Sequence, residues 1–221
     1  HEQAIKAYNK SIELDRNFAA AWNSRGYVLQ DMGLHNDSIR AFKKAIELDP
    51  EYIAAYENLG NVFLELGLCN DSVKAYEKAI ELEPGSAKAW TSLGDTLQNL
   101  GSFSDSLKAY DRAIELEPGL AQAWDGRGNA LQAQEKQNDS IKAYDKAIEL
   151  DPRMSMAWYD KGNALENMGM YNESLQAYEK AIRLDRELAL ARIGKGNIKS
   201  LQGKYAEAAS AYDEIGRDTS E

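Results

Sequence analysis

The chain is poor in the residues that most enzymes and secreted domains rely on. It has one cysteine, two histidines and four prolines in 221 residues. A lone Cys69 rules out an intrachain disulfide and fits a reducing compartment, so the expected location is the cytoplasm. His1 and His35 have no partner visible in the sequence, and His35 is expected to be solvated in a turn. Cys69 lies one repeat later at the equivalent place. No run approaches the roughly 18 apolar residues of a membrane span, so no membrane partner is expected. There is no glycine-rich phosphate loop, no metal-ligand spacing and no nucleophile–base pair, so no catalysis, metal or cofactor is expected. Cations are the scarcer sign, with 26 Lys and Arg against 36 Asp and Glu and a net charge of -10. That balance argues against nucleic acid, whose binding draws on phosphate neutralisation. It favours a neutral or basic partner. The opening His1-Glu2-Gln3 reads as a fragment boundary, so the lack of a targeting segment carries no weight.

What the chain does have is a beat. Trp22, Tyr56, Trp90, Trp124 and Trp158 stand 34 residues apart, and the next step lands on Arg192. Four residues after each comes Gly26, Gly60, Gly94, Gly128, Gly162 and Gly196. A fixed period in this range marks an array of stacked units, each packed on its neighbours. The units are 19–52, 53–86, 87–120, 121–154, 155–188 and 189–221, with 1–18 as the second half of a further one.

Within a unit, Ala21, Trp22, Arg25, Gly26 and Leu29 share one helical face. Glycine inside a helix costs about 1 kcal/mol relative to alanine, so its recurrence predicts a second helix too close for a methyl group. Gly33, Gly67, Gly101, Gly169 and Gly203 are expected to end the first helices in the left-handed conformation. Glu135 takes that place in the fourth unit and predicts strain. Asn36, Asn70, Ser104, Asn138 and Asn172 are expected to cap the second helices, each followed by a carboxylate. Ile39, Phe42, Ala45 and Ile46 form the apolar face of the first of these. Pro50, Pro84, Pro118 and Pro152 are expected to stop them. Arg186 stands where the next proline would fall, and that junction is expected to be more continuous. Asn9, Asn36, Asn70, Asn138 and Asn172 also match the glycosylation triplet, but repeat architecture explains them.

These positions resemble the tetratricopeptide repeat. The second unit carries Tyr56, Leu59, Gly60, Phe63, Ser72, Tyr76, Ala79 and Pro84, and the third repeats the pattern from Trp90 to Pro118. The small residue is Ser at 38, 72, 106, 140 and 174, where alanine is usual in that family. Arg25, Arg127, Lys161 and Lys195 replace its leucine and are expected to lay their stems along the apolar seam. The last unit departs furthest, with Arg192 and with Ile215-Gly216 near its end. The resemblance implies an all-α fold, an α-α superhelix (TPR solenoid) of stacked antiparallel helix pairs, with about 13 helices. It also implies a right-handed superhelix, first helices on the inner wall, and recognition of proteins or peptides there.

The matching wall positions include Asn23, Tyr27, Asn58, Asn61, Glu65, Asp95, Gln98, Asp125, Asn129, Gln132, Tyr159, Asp160, Asn163, Glu166 and Asn197. Asn61, Asp95, Asn129, Asn163 and Asn197 form a ladder one repeat apart, and an asparagine both donates and accepts. Such a row suits a peptide backbone of any sequence. Lys88 is the one cation assigned to the wall. A clamp for an acidic tail is therefore not expected, because only Asn58 and Lys88 fall where it would need them. Leu190, Ile193 and Leu201 make the sixth unit's part of the wall apolar, a sign of an interface.

The expected function is a non-enzymatic scaffold holding a neutral or basic peptide segment in an acidic, Asn-rich groove. Two alternatives stand beside it. The chain opens on an unpaired second helix and ends without an obvious polar cap, so uncapped ends would permit head-to-tail self-association. It would equally serve as the recognition arm of a longer enzyme.

Overall fold

The structure, a computed structural model, describes residues 1–217, with side chains through 213. Among the described residues there are helices and no strands. They are α1 (Glu2–Leu14), α2 (Ala19–Asp31), α3 (His35–Leu48), α4 (Ile53–Glu65), α5 (Cys69–Leu82), α6 (Ala87–Asn99) and α7 (Phe103–Leu116). Then follow α8 (Ala121–Ala133), α9 (Gln137–Leu150), α10 (Ser155–Asn167), α11 (Tyr171–Leu184), α12 (Ala189–Leu201) and α13 (Tyr205–Arg217). None is long and apolar enough to cross a membrane. The helices fall into two compact units, His1–Leu116 and Glu117–Glu221.

In unit 1, α2 packs on α3, α4 on α5 and α6 on α7, and each second helix leans on the next first helix. Helix α2 also touches α4, and α4 touches α6, whereas α3, α5 and α7 do not touch one another among the described residues. Helices that meet at every second step lie on the inner side of a curve. The first helices therefore form the concave wall of unit 1. In unit 2, α10 touches both α8 and α12, which puts the same face inward.

The recurrent glycine has the predicted cause. A Cβ on Gly128 would sit 2.4 Å from the Tyr144 ring, and one on Gly60 would sit 2.8 Å from Tyr76. Those rings are buried, together with the Ala75, Ala79 and Ala109 faces around them. The 34-residue aromatic has a further task. Trp90, Trp124 and Trp158 donate their indole N–H to the carbonyls of Pro84, Pro118 and Pro152 at 3.0–3.2 Å. Tyr56 reaches Pro50 O with its hydroxyl at 3.2 Å. Each aromatic thus ties its helix to the incoming loop. Two of the five serine departures share one role: Ser72 and Ser174 donate to the carbonyls of Gly60 and Gly162 at 2.9 and 2.7 Å, whereas Ser140 donates to Gln137 O at 2.8 Å. An alanine there would fill the space without that bond. The cationic departures behave as expected. Lys161 lies over the Trp158 ring at 5.7 Å and pairs with Asp145 at 2.6 Å, and Arg25 covers Trp22 at 5.5 Å.

Three local expectations are corrected. The second helices start one to two residues earlier than the expected caps. Leu34, Leu68, Lys136 and Met170 stand at the N-cap without side-chain bonds, and Asn36, Asn70, Asn138 and Asn172 lie in the first turn. The chain reverses directly out of the preceding helix end, where Leu34 N donates to Leu29 O at 2.8 Å, so no separate capping residue is used. Second, the junction at Arg186 is not more continuous. Helix α11 ends at Leu184 and Asp185 is extended (φ -137, ψ 105), like Asp49 before Pro50 (φ -139, ψ 93). The Asp185 carboxylate accepts from Glu187 N at 2.9 Å, a local turn that stops the helix without proline. Third, His35 is half-buried at the start of α3, with Nδ1 3.6 Å from a Glu65 carboxylate oxygen, and is not free in solvent. The expected strain at Glu135 is present: φ is 60°, the one non-glycine residue with positive φ among the described residues. Ile215 and Gly216 fall in the last turn of α13, and their side chains lie outside the described residues.

Candidate functional site

The concave wall of unit 1 collects Asn23, Tyr27, Asn58, Asn61, Glu65, Asp95 and Gln98 from α2, α4 and α6. Its polar side chains bond from repeat to repeat. Asn58 Nδ2 donates to Asn23 Oδ1 at 3.0 Å and Gln30 Nε2 to Glu65 Oε1 at 2.7 Å, while Ser86 Oγ donates to Glu57 Oε1 at 3.4 Å within one repeat. Asn23 is buried, whereas Tyr27 is 60% exposed. The wall of unit 2 collects Asp125, Asn129, Gln132, Tyr159, Asp160, Asn163, Glu166 and Asn197 from α8, α10 and α12. Asp125 is buried and Asn197 exposed.

The ladder is held from behind. Tyr76, Tyr110, Tyr144, Tyr178 and Tyr212 each place a hydroxyl on the ladder residue 15 positions earlier. The distances to Asn61, Asp95, Asn129, Asn163 and Asn197 are 2.5, 2.6, 2.7, 2.6 and 2.8 Å. One polar end of each ladder side chain is therefore committed to a phenol. Three of the phenols meet a second group. Tyr110 lies 3.5 Å from Gln98 Oε1. Tyr144 lies 2.8 Å from Gln132 Oε1, and Tyr178 lies 2.6 Å from Glu166 Oε2.

Burial shapes the electrostatics. Desolvation pushes the Tyr76 hydroxyl up to about 12, with the Asp95, Glu57 and Glu65 charges adding to the effect. Tyr144 and Tyr178 are raised further, again first by desolvation, then by the carboxylates around them. Desolvation also lifts the Asp160 carboxyl to about 6, against a hydrogen bond from Asn129 that favours its charge. Asp95 is raised for the same reason, although its outer face stays open to water and Tyr110 donates to it.

In unit 2 the wall opens into a cavity of about 330 Å³ between α8, α10, α11 and α12. Gln132, Tyr159, Asn163, Glu166 and Asn197 line it, and so do Leu190 and Ile193 of the sixth repeat. Tyr159 and Tyr178 meet ring to ring at its back, 5.9 Å between centroids. Leu201, grouped with them by sequence, is 67% exposed and does not line it.

Family models describing a TPR repeat match residues 1–33, 34–67 and 128–169, and models describing a tetratricopeptide repeat match 57–121 and 155–188. The chain belongs to the tetratricopeptide repeat family. Solved structures agree on the fold. MamA is 27% identical over 74% of this chain and 96% of its own, with a TM-score of 0.65. YrrB, described as a TPR protein with an unusual peptide-binding site, is 23% identical over 85% of this chain and 96% of its own, at 0.66. A tetratricopeptide repeat protein from Parabacteroides merdae ATCC 43184 is 16% identical over 96% of this chain and 84% of its own, at 0.80. No curated protein matches the chain.

TPR proteins are interaction scaffolds, and in this TPR chain the positions expected on the wall lie on the first helices, α2, α4, α6, α8, α10 and α12. Sequence reasoning missed the phenols behind the ladder. Their signal was present: Tyr or Phe recurs 15 residues after each ladder position. The first repeat proves the pairing by exception, since Tyr27 takes the ladder place and Phe42, which has no hydroxyl, takes the phenol's.

Proposed function

We propose that this TPR chain is a non-enzymatic scaffold that holds a neutral or basic peptide segment against its concave walls. The observation that carries the reading is the row Asn61, Asn129, Asn163 and Asn197, each amide held by a phenol hydroxyl on the helix behind it. An amide fixed before the ligand arrives loses little conformational freedom on binding. Its other polar atom can meet a peptide backbone group whatever the side chains are. Carboxylates stand beside the row at Glu65, Asp95, Asp160 and Glu166, which favours a partner without excess negative charge.

The test is a peptide library screened against the wild type and an Asn129→Ala/Asn163→Ala double variant. Bound sequences are expected to be neutral or basic, with affinity reduced roughly tenfold in the variant. Equal binding by both proteins would remove the amide row from the mechanism.

A further inference from the structure

We propose that the unit 2 cavity is a receptor for the guanidinium group of an arginine presented by the bound protein segment. The proposal rests on the groove reading above and assigns the partner's chemistry at one place.

Counting protons in the cavity gives the reason. A phenol owns one. The Tyr178 hydroxyl stands 2.6 Å from both the Asn163 amide and a Glu166 oxygen. An ionised carboxylate only accepts, so Glu166 takes the proton. Asn163 must then offer its NH2 to the phenol oxygen and turn its carbonyl toward the cavity, since the two ends of an amide are interchangeable in shape. The Tyr144 hydroxyl faces the same choice between Asn129 at 2.7 Å and Gln132 at 2.8 Å. Asn129 also hydrogen-bonds the Asp160 carboxylate, which claims its NH2 and leaves its carbonyl for Tyr144. Gln132 therefore gives an N–H to the phenol and shows its carbonyl to the cavity.

The cavity is thus faced by acceptors: the carbonyls of Gln132 and Asn163 and the charged carboxylate of Glu166. None of its lining residues is basic. The matching ligand has many donors, no acceptor and a positive charge. Guanidinium carries five N–H donors in a plane, whereas an ammonium is a compact charge with three. The plane also suits the Tyr159 ring beside Glu166. Leu190 and Ile193 at the mouth are 48% and 40% exposed, and would cover the arginine stem. Asn197 accepts from Tyr212 at 2.8 Å through its carbonyl, leaving its NH2 for a backbone carbonyl of the same segment. Gly194 lets α12 close directly on the Tyr178 ring at the cavity, since a Cβ there would sit 2.5 Å from it.

The probes are acetylated arginine amide and acetylated citrulline amide, which share a shape but not a charge. Each is titrated into the full chain and followed by the side-chain amide NMR signals of Gln132 and Asn163. Arginine amide is expected to shift both, and citrulline amide to bind at least roughly tenfold more weakly. Glu166→Gln, which still accepts from Tyr178, is expected to weaken arginine binding roughly tenfold with no change in thermal unfolding. Equal binding of the two amides, or equal binding by wild type and Glu166→Gln, overturns the proposal. Arginine-free peptides that bind as tightly as arginine-bearing ones, and weaken in Asn129→Ala, would overturn the receptor and leave the groove reading intact. Capture of arginine amide with no longer peptide bound would support the receptor and overturn the groove.

Discussion

In unit 1 the wall side chains tie one repeat to the next, through Asn58 with Asn23 and Gln30 with Glu65. Phenol hydroxyls stand behind the ladder in both units, at Tyr76 and Tyr110 as at Tyr144 and Tyr178, but in unit 2 Gln132, Asn163 and Glu166 gather around an open cavity. The backbone frame is common to both. The difference is where each polar atom finds its partner. Cross-repeat bonds occupy part of the unit 1 surface, whereas the unit 2 cavity leaves room between its polar groups.

The common frame can be broken first. Gly128→Ala in unit 2 and Gly60→Ala in unit 1 each drive a methyl group into a buried phenol ring, at 2.4 and 2.8 Å. Each is expected to lose about 2–3 kcal/mol in urea unfolding, slightly more at Gly128. Gly85→Ala, where an added Cβ meets nothing within 4 Å, provides the neutral comparison. A large difference between the two helical glycines would mean that the units do not share one packing rule.

The electrostatic contrast comes next. Asp160 in unit 2 is held at about 6, well above an ordinary carboxyl, by burial. A folded-state value raised above the unfolded one means that folding favours the protonated form. That contribution is complete below about pH 4 and is lost as pH rises through about 6. Asp160→Asn is expected to gain roughly 2 kcal/mol of stability relative to wild type at pH 8 and nothing at pH 3.5. Asp95→Asn in unit 1 should show the same sign with a smaller change, because Asp95 is open to water on its outer face. Chemical unfolding across that pH range measures both.

The ladder rule is tested where the first repeat departs from it. Phe42→Tyr buries a hydroxyl at a place where Tyr27 supplies no amide, and should cost about 1 kcal/mol. Adding Tyr27→Asn rebuilds the pair seen from Asn61 to Asn197, and should recover most of that loss in a double-mutant cycle. Strict additivity of the two changes would dismiss the pairing. The smallest effect is expected at the fourth turn. Glu135→Gly relieves a side chain held at φ 60° and should add about 0.5–1 kcal/mol.

Much of the fold was legible because its causes are local or periodic. Gly26 to Gly196 announce close helix approach, and Gly33 to Gly203 announce helix ends with φ near +73°. Glu135 betrayed strain by breaking that row. The misjudged features have local substitutes that composition conceals. Asn36 looks like a cap, but the reversing backbone already begins the helix at His35. Arg186 looks like a missing stop, but Asp185 makes the same side-chain turn that Asp49 and Asp151 make beside proline. The wall positions of the candidate site were legible through the family register. The state of their polar atoms was not.

The sequence alone therefore determined the period, the helix pairs, the glycine contacts and the register of the row from Asn61 to Asn197, because each depends on residue type at a set spacing. Tertiary structure decided the rest. A Tyr178 proton lies between two acceptors only after α10 and α11 pack, and Asp160 reaches about 6 only after that packing removes its water. Leu190 and Ile193 join Gln132 at one cavity only once α12 closes against α10. Hydrogen-bond direction and desolvation belong to groups brought together from separate helices, and the spacing of residues along the chain carries no record of them.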